Sequence, residues 1–173
     1  MSILPLVQLD QTRFFEKHPI LREPSHPVTD FGPSLQTVID DLLDTFLSHR
    51  IAVGLAAPQI GVQLRAAVIN TDKDRTASTS LILINPNVIA ISGKKDTKKE
   101  ACMSLPGFQG SVERRHKIEI AYQNKTGGPE HLKAEGFLSR VIFHEMDHLD
   151  GILYIDRMTP PAKMEQADFF KDD

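Results

Sequence analysis

The hydrophobic residues between positions 34 and 50 recur at the spacing of an amphipathic helix. Ser34 is a typical N-cap residue, and the pattern ends near Arg50. The apolar positions are Leu35, Val38, Ile39, Leu42, Leu43, Phe46 and Leu47. The opposite side carries three aspartates. One apolar face and one acidic face predict a helix that packs on the outside of a domain.

The middle of the chain has the pattern of short strands separated by turns. The strand-like runs are 65–70, 81–85, 88–92, 112–115 and 117–122. In the last run apolar and polar residues alternate, as in a half-buried strand. Residues 93–99 indicate a polar turn and 124–128 a loop. Five prolines before residue 34 favour an extended arm over 1–33.

A second helix is predicted from about residue 136 to residue 150, with Gly151 placed to end it. Its apolar positions cover a wide arc, which indicates a helix buried in the middle of the domain. The length of 173 residues suits one domain over 1–173, with a short C-terminal tail over 159–173.

Composition narrows the possible partners and the compartment. The formal net charge is −3, which disfavours DNA binding by a broadly basic surface. The one cysteine forms no intramolecular disulfide and fits a reducing compartment. Residues 1–10 lack the features of a signal peptide, and no apolar run has the length of a membrane span. We therefore expect a cytoplasmic protein with no membrane partner.

The second helix carries the pattern with the most chemical content. His144 and His148 are four residues apart, so both side chains project from one face. Glu145 follows the first histidine and lies near that face. Two histidine ligands with a nearby general base predict a metal-dependent hydrolase. Two solvated histidines are the plain alternative, but unpaired polar groups are costly on an apolar helix.

Two histidines leave a catalytic metal site short of a ligand, since such sites usually take three from the protein. Five other histidines, many carboxylates and Cys102 are candidates. A lone cysteine is more often a small buried hydrophobic residue. A nucleophilic cysteine–histidine pair is another interpretation. The residues alone do not decide between these.

Three segments resemble the ordered motifs of peptide deformylases. They are Gly-Leu-Ala-Ala-Pro-Gln at 54–59, Glu-Ala-Cys-Met-Ser at 100–104 and His-Glu-Met-Asp-His-Leu-Asp-Gly at 144–151. Segments 18–22, 85–86 and 156–158 add support, so the resemblance covers nearly the whole chain. It implies an α+β fold, with a central histidine-bearing helix surrounded by small antiparallel sheets and the first helix packed outside.

The resemblance also implies a cofactor and a substrate. Cys102, His144 and His148 would bind one divalent metal ion, commonly Fe²⁺, with Zn²⁺, Ni²⁺ or Co²⁺ as substitutes. The substrate would be the N-formyl-methionyl end of a newly made polypeptide, and formate would be released. Glu145 would move the proton. The Gln59 side chain and the Met103 backbone N–H would stabilise charge on the formyl oxygen.

The resemblance suggests where the peptide would bind. Val53, Gly54 and Ala101 would lie along the substrate backbone, which pairs like an added strand. Phe137 and Val141, with the stem of Arg140 at the rim, would line a pocket for the methionine side chain. These three are also ordinary core positions.

Three positions depart from the family pattern. Ala52 and Ala101 stand where glycine is usual, and Phe143 stands where glutamine is usual. None of them removes a metal ligand, the general base or the oxyanion amide, so we expect an active enzyme. A zinc peptidase and a catalytically silent binding protein are the alternatives. We also expect a monomer. The lysine pairs at 94–95 and 98–99 could make transient contact with the ribosome.

Overall fold

A computed structural model describes residues 2–10, 13, 16–70, 72, 76–159 and 163–167. The helices and strands, in chain order, are α1 (Pro33–Ser48), β1 (Gly54–Ala56), β2 (Ala66–Ile69), β3 (Leu81–Ala101), β4 (Phe108–Gln123), β5 (Pro129–Glu135), α2 (Phe137–Leu149) and β6 (Glu165–Gln166). Two short 3₁₀ turns span Ala57–Ile60 and Tyr154–Arg157. The α+β class is confirmed.

The strands form one curled antiparallel sheet. Its order is β1-β2-β3-β4-β5, so each of these five strands pairs with its neighbours in the sequence. β6 pairs with the beginning of β4, through Phe108 with Gln166 and Gln109 with Glu165. Because β3 and β4 pair over most of their length, the Cys102 turn between them is held at one end of a long hairpin.

The two helices lie where the pattern placed them. α2 buries Val141 and Ile142 in a core cluster with Ile118 and Ile120 of β4. α1 packs through its apolar face on β1, β2 and the 3₁₀ turn Ala57–Ile60. The central position of the histidine-bearing helix and the outer position of the first helix are therefore confirmed. Within the described residues, neither helix is long and apolar enough to cross a membrane.

Two details at the start of α1 and in the sheet differ from the predictions. The N-cap of α1 is Gly32, with Pro33 in the first turn, so Ser34 as the N-cap was wrong. Proline suits this position because its φ is fixed near the helical value. The polar turn at 93–99 was also wrong, because those residues belong to β3. A register shift near Gly93, whose φ is +77°, bends the strand without ending it.

The remaining differences concern strand length. The runs 81–85 and 88–92 are parts of β3, and 112–115 and 117–122 are parts of β4. β1 and β5 were not predicted. The loop at 124–128 and the second helix are confirmed. Part of the tail forms β6, while 160–162 and 168–173 lie outside the described residues. One domain over 1–173 stays a prediction.

The end of α2 requires glycine at residue 151. Gly151 has φ +72°, and a Cβ there would lie 2.8 Å from the backbone carbon of Arg22. We expect Gly151→Ala to destabilise the fold by more than the roughly 1–2 kcal/mol of a left-handed residue, as measured by urea unfolding. Gly107→Ala is the matched control, because Gly107 has φ +82° with no atom within 4 Å of such a Cβ. Equal losses would contradict the steric argument.

Candidate metal centre

Three potential metal-ligating side chains converge where the β3–β4 turn meets α2. The ligand atoms of Cys102, His144 and His148 all lie within 4.8 Å of one another. The Cys102 Sγ is 3.1 Å from the His148 Nε2. The histidines lie one turn apart on α2, while the cysteine directly follows β3. The fold thus brings together three groups that are distant in the sequence.

The donor set fits a divalent metal ion. One thiolate and two imidazoles are ligands that zinc and iron accept. A buried carboxylate oxygen, Oε2 of Glu145, has no hydrogen-bond partner among the described residues. Such an oxygen is costly unless a further group meets it. An ion with a water or a substrate beside it would meet that requirement.

The histidines favour the thiolate form of Cys102. Burial raises the pKa of this thiol, but His148 and His144 outweigh that effect and lower it to about 5. The pKa of His144 is raised in turn: burial lowers it, whereas Cys102 and Glu100 have the larger combined effect. The cysteine is therefore in its ligand form, whereas His144 releases its proton when a cation binds.

Glu145 lies beside the three candidate ligands, in space that is free because Gly54 has no side chain. Burial raises the pKa of its carboxyl to about 7, although His144 and His148 act in the opposite direction. A Cβ on Gly54 would lie 2.3 Å from the Glu145 Oε1. Glycine in β1 is therefore the residue that allows this carboxyl to approach the strand.

Gln59 is fixed at both ends of its amide. Its Oε1 accepts a hydrogen bond from the Ala56 N–H at 2.9 Å. Its Nε2 donates to the Ser104 Oγ at 3.3 Å and to the Cys102 Sγ at 3.5 Å. The amide donors thus face the cluster while the carbonyl oxygen faces the backbone.

Glu100 contacts the candidate ligand His144, and the sequence pattern did not indicate this contact. Its buried carboxylate accepts two hydrogen bonds from Arg114, at 3.0 and 2.9 Å, and one from Arg140 at 2.7 Å. Its Oε2 is also 3.1 Å from the His144 Nδ1. Burial raises the pKa of this carboxyl, but His144 and Arg114 hold it well below its usual value. A carboxylate on Nδ1 orients the ring and leaves Nε2 for a metal.

Arg114 extends this network from β4 to α2. Its Nη1 donates to Asp147 Oδ2 at 2.6 Å, and Asp147 also pairs with Arg157 at 2.9 Å. The guanidinium carbon lies 5.9 Å from the centre of the Phe143 ring. The network is buried except at its Arg157 end.

A cavity of about 390 Å³ opens beside the cluster. The predicted site residues that line it are Val53, Gly54, Gln59, Ala101, Cys102, Met103, Phe137, Arg140, Val141, His144 and Glu145. His148 is buried behind them. Phe137 is 55% exposed, at the rim. The Arg140 guanidinium pairs with Glu100 and Asp96, so its stem is the part left for the wall. Ile51 and Lys99, which the sequence did not indicate, also line the cavity.

Comparison with known proteins decides the family. A model of the polypeptide deformylase family matches residues 15–164. The chain belongs to the polypeptide deformylase family. It is 40% identical to a peptide deformylase of Bartonella tribocorum over 140 residues, and this alignment covers 80% of this chain and 78% of that protein. It is 37% identical over 139 residues to a peptide deformylase of a Synechococcus strain, and this alignment covers 80% of this chain and 69% of that protein.

Solved structures agree with this membership. A peptide deformylase from Synechococcus elongatus, crystallised with actinonin, has a TM-score of 0.82 and 35% identity, covering 91% of this chain and 81% of that one. The Thermotoga maritima peptide deformylase has a TM-score of 0.79 and 33% identity, covering 92% and 100%. The polypeptide deformylase family is metal-dependent, which agrees with the cysteine–histidine cluster.

The three departures from the deformylase pattern fit their surroundings. Ala52 is 6% exposed and packs in a core cluster with α1 residues and Met103. Ala101 ends β3 at the cavity wall, where its methyl group takes up space. Phe143 lies beside the Arg114 guanidinium, a cation–π contact in place of an amide hydrogen bond.

Removing Arg114 should destabilise the protein strongly. Arg114→Met deprives the buried Glu100 and Asp147 of a shared partner, and breaking a buried pair costs about 3–5 kcal/mol. Arg157→Met also removes a partner of Asp147, but that side chain is 47% exposed and should lose less than about 1 kcal/mol. Urea unfolding of the metal-free proteins measures both. Similar losses for the two variants would contradict the buried-network argument.

The metal-free protein should hold Cys102 as a thiolate at neutral pH. As the pH is lowered, the ultraviolet absorbance of the thiolate should disappear with a midpoint near the Cys102 pKa of about 5. The ordinary pKa of a cysteine thiol is about 8.5. Because the chain has one cysteine, Cys102→Ala supplies the baseline. A midpoint above about pH 8 would show that the histidines do not lower this pKa.

Proposed function

We propose that this chain is a peptide deformylase, which removes the formyl group from the N-terminal formyl-methionine of newly synthesised polypeptides and releases formate. The supporting observation is the convergence of Cys102, His144 and His148 beside Glu145 and Gln59. Four of these five groups line one cavity, and His148 lies directly behind it. The deformylase names of the relatives agree with this arrangement.

The proposed cofactor is one divalent ion held by Cys102, His144 and His148. Fe²⁺ is the proposed physiological ion, and Zn²⁺, Ni²⁺ or Co²⁺ are substitutes, because one set of ligands accepts several metals. When bound, such an ion makes water more acidic and polarises a carbonyl oxygen. Glu100 supports the ligand set by holding the His144 ring.

Glu145 is the proposed general base and acid. With a pKa of about 7, its carboxylate can take the proton of the attacking water near neutral pH. The protonated carboxyl then delivers that proton to the leaving amine, and formate departs. The Gln59 side chain and the Met103 backbone N–H are the proposed donors to the oxygen on which negative charge develops.

The peptide is proposed to lie along the cavity wall. Its extended backbone would run beside Val53, Gly54 and Ala101, in the manner of an added strand. Phe137 and Val141, with the stem of Arg140, would contact the methionine side chain. All six residues line the same cavity as Cys102 and Glu145.

The alternatives have less support. A zinc peptidase of the usual kind takes His or Glu as its third ligand, whereas the third candidate ligand beside the two histidines here is Cys102. A silent binding protein would not need the catalytic groups that this cavity retains.

A cytoplasmic, monomeric enzyme with transient ribosome contact is also part of the proposal. Lys95, Lys98 and Lys99 already pair with acidic side chains, which limits the charge they offer to RNA.

The direct test is formate release from a formyl-methionyl peptide by protein loaded with Fe²⁺ or Ni²⁺ under anaerobic conditions. We expect formate to form while the internal peptide bonds remain intact. Protein with stoichiometric metal that releases no formate would refute the proposal. Cleavage within the peptide would favour the peptidase instead.

Two variants separate the chemistry from metal binding. Glu145→Gln should lower kcat by about 10²–10⁴-fold, the usual contribution of general acid–base catalysis, while bound metal stays at wild-type stoichiometry. Cys102→Ser should lose bound metal, because the thiolate ligand is gone. Metal analysis and the formate assay on the same samples check both outcomes. A Cys102→Ser protein that retains its metal would exclude Cys102 as a ligand.

A further inference from the structure

Residues 7–9, here called the strap, contact the two loops that carry the proposed oxyanion donors. One loop is the 3₁₀ turn Ala57–Ile60, with Gln59, and the other is the β3–β4 turn, with Met103. The Val7 N–H donates to the Gln59 backbone oxygen at 2.8 Å. The Leu9 N–H donates to the Ser104 backbone oxygen at 2.9 Å. The Gln8 side chain donates to the Met103 backbone oxygen at 3.4 Å. Three consecutive residues therefore bond to both loops, one after the other.

Apolar contacts hold the strap in place. Leu9 is 7% exposed and belongs to the core cluster that includes Cys102 and Leu105. Val7 packs against the same cluster. The preceding residues Leu4 and Leu6 pack against a different cluster, which includes Met103 and Ile60. The strap thus lies where these two clusters meet, next to Met103, which lines the cavity.

The two loops need a connection that leaves the catalytic groups free. They also meet through the Gln59 amide, at 3.3 and 3.5 Å from Ser104 and Cys102. That amide is the group that the reaction is proposed to use, so its contacts cannot also be the fixed link. The strap joins the loops through their backbone oxygens and leaves the amide available.

We propose that the strap is a positioning element that sets the spacing between Gln59 and Met103, and so the geometry of the oxyanion donors. This inference rests on the proposed deformylase function. A displacement of a catalytic group by about 1 Å can lower a rate by up to 10²-fold. Loosening the strap should therefore reduce kcat while the metal ligands and the substrate wall remain intact.

The first variant is Val7→Pro, which removes the N–H that bonds to Gln59. We expect about a 10-fold loss of kcat, with KM and bound metal unchanged. Leu4→Pro is the matched control, because it removes an N–H that bonds to the Thr45 Oγ1 of α1 at 2.9 Å. It should keep wild-type kcat. Equal losses in the two variants would overturn the proposal.

A double-mutant cycle with Gln59→Ala separates positioning from general destabilisation. If the strap acts through Gln59, Val7→Pro should cost less than about 2-fold in the Gln59→Ala background, because coupled sites are not additive. Fully additive losses would show a merely structural role. If Gln59→Ala lowers kcat and Val7→Pro does not, the strap proposal alone fails. Formate release by the wild-type protein tests the proposed function separately.

A second variant covers the case in which Val7→Pro does not fold. Replacing Val7 by its α-hydroxy acid turns the amide into an ester, which removes the N–H and keeps the side chain. The melting temperature and bound metal should stay near wild type while kcat falls by about the same 10-fold. Wild-type kcat in this ester protein would overturn the proposal.

Discussion

The candidate metal centre depends on the hydrogen bonds that the buried Glu100 carboxylate accepts. This carboxylate lies at the end of β3 and bonds to Arg114 of β4, to Arg140 of α2 and to the proposed ligand His144. Three elements thus meet at one buried anion, which costs several kcal/mol to desolvate unless it is fully paired. The pairing explains how the guanidinium groups of Arg114 in β4 and Arg140 in α2 can both be buried. It also explains why the His144 ring has one defined orientation before any ion binds.

The sequence predicted the features that depend on local periodicity. The bounds of α2 differ from the prediction by about one residue at each end, and the amphipathic pattern of α1 places its apolar face correctly. The strands were fragmented, because a bulge looks like a turn when polar residues surround it. Gly93 bends β3 without ending it. Pairing with β4 keeps residues 95–101 in the strand, and that pairing is a long-range property.

In the candidate site, too, local spacing predicted some residues, while long-range contacts determine the others. His144, Glu145 and His148 follow from helical spacing, whereas the residues alone left the third ligand undecided. Cys102 joins them because the β3–β4 hairpin returns to α2, which no local pattern encodes. The roles of Glu100 and Arg114 were missed for the same reason: a charged residue in a strand indicates burial only when its partners are known. Phe143 becomes understandable only beside Arg114.

The long strand β3 has a further consequence. It pairs with β2 only through residues 81–84, so beyond Asn85 one edge of it faces no other strand among the described residues. Val88, Ile89 and Ile91 are 36–49% exposed on this stretch. An open strand edge with apolar side chains invites pairing with another chain, and bulges and lysines discourage it. β3 has register shifts on either side of that stretch, followed by lysines at 94, 95, 98 and 99. The same residues that interrupted the strand pattern in the sequence thus protect the folded protein against aggregation.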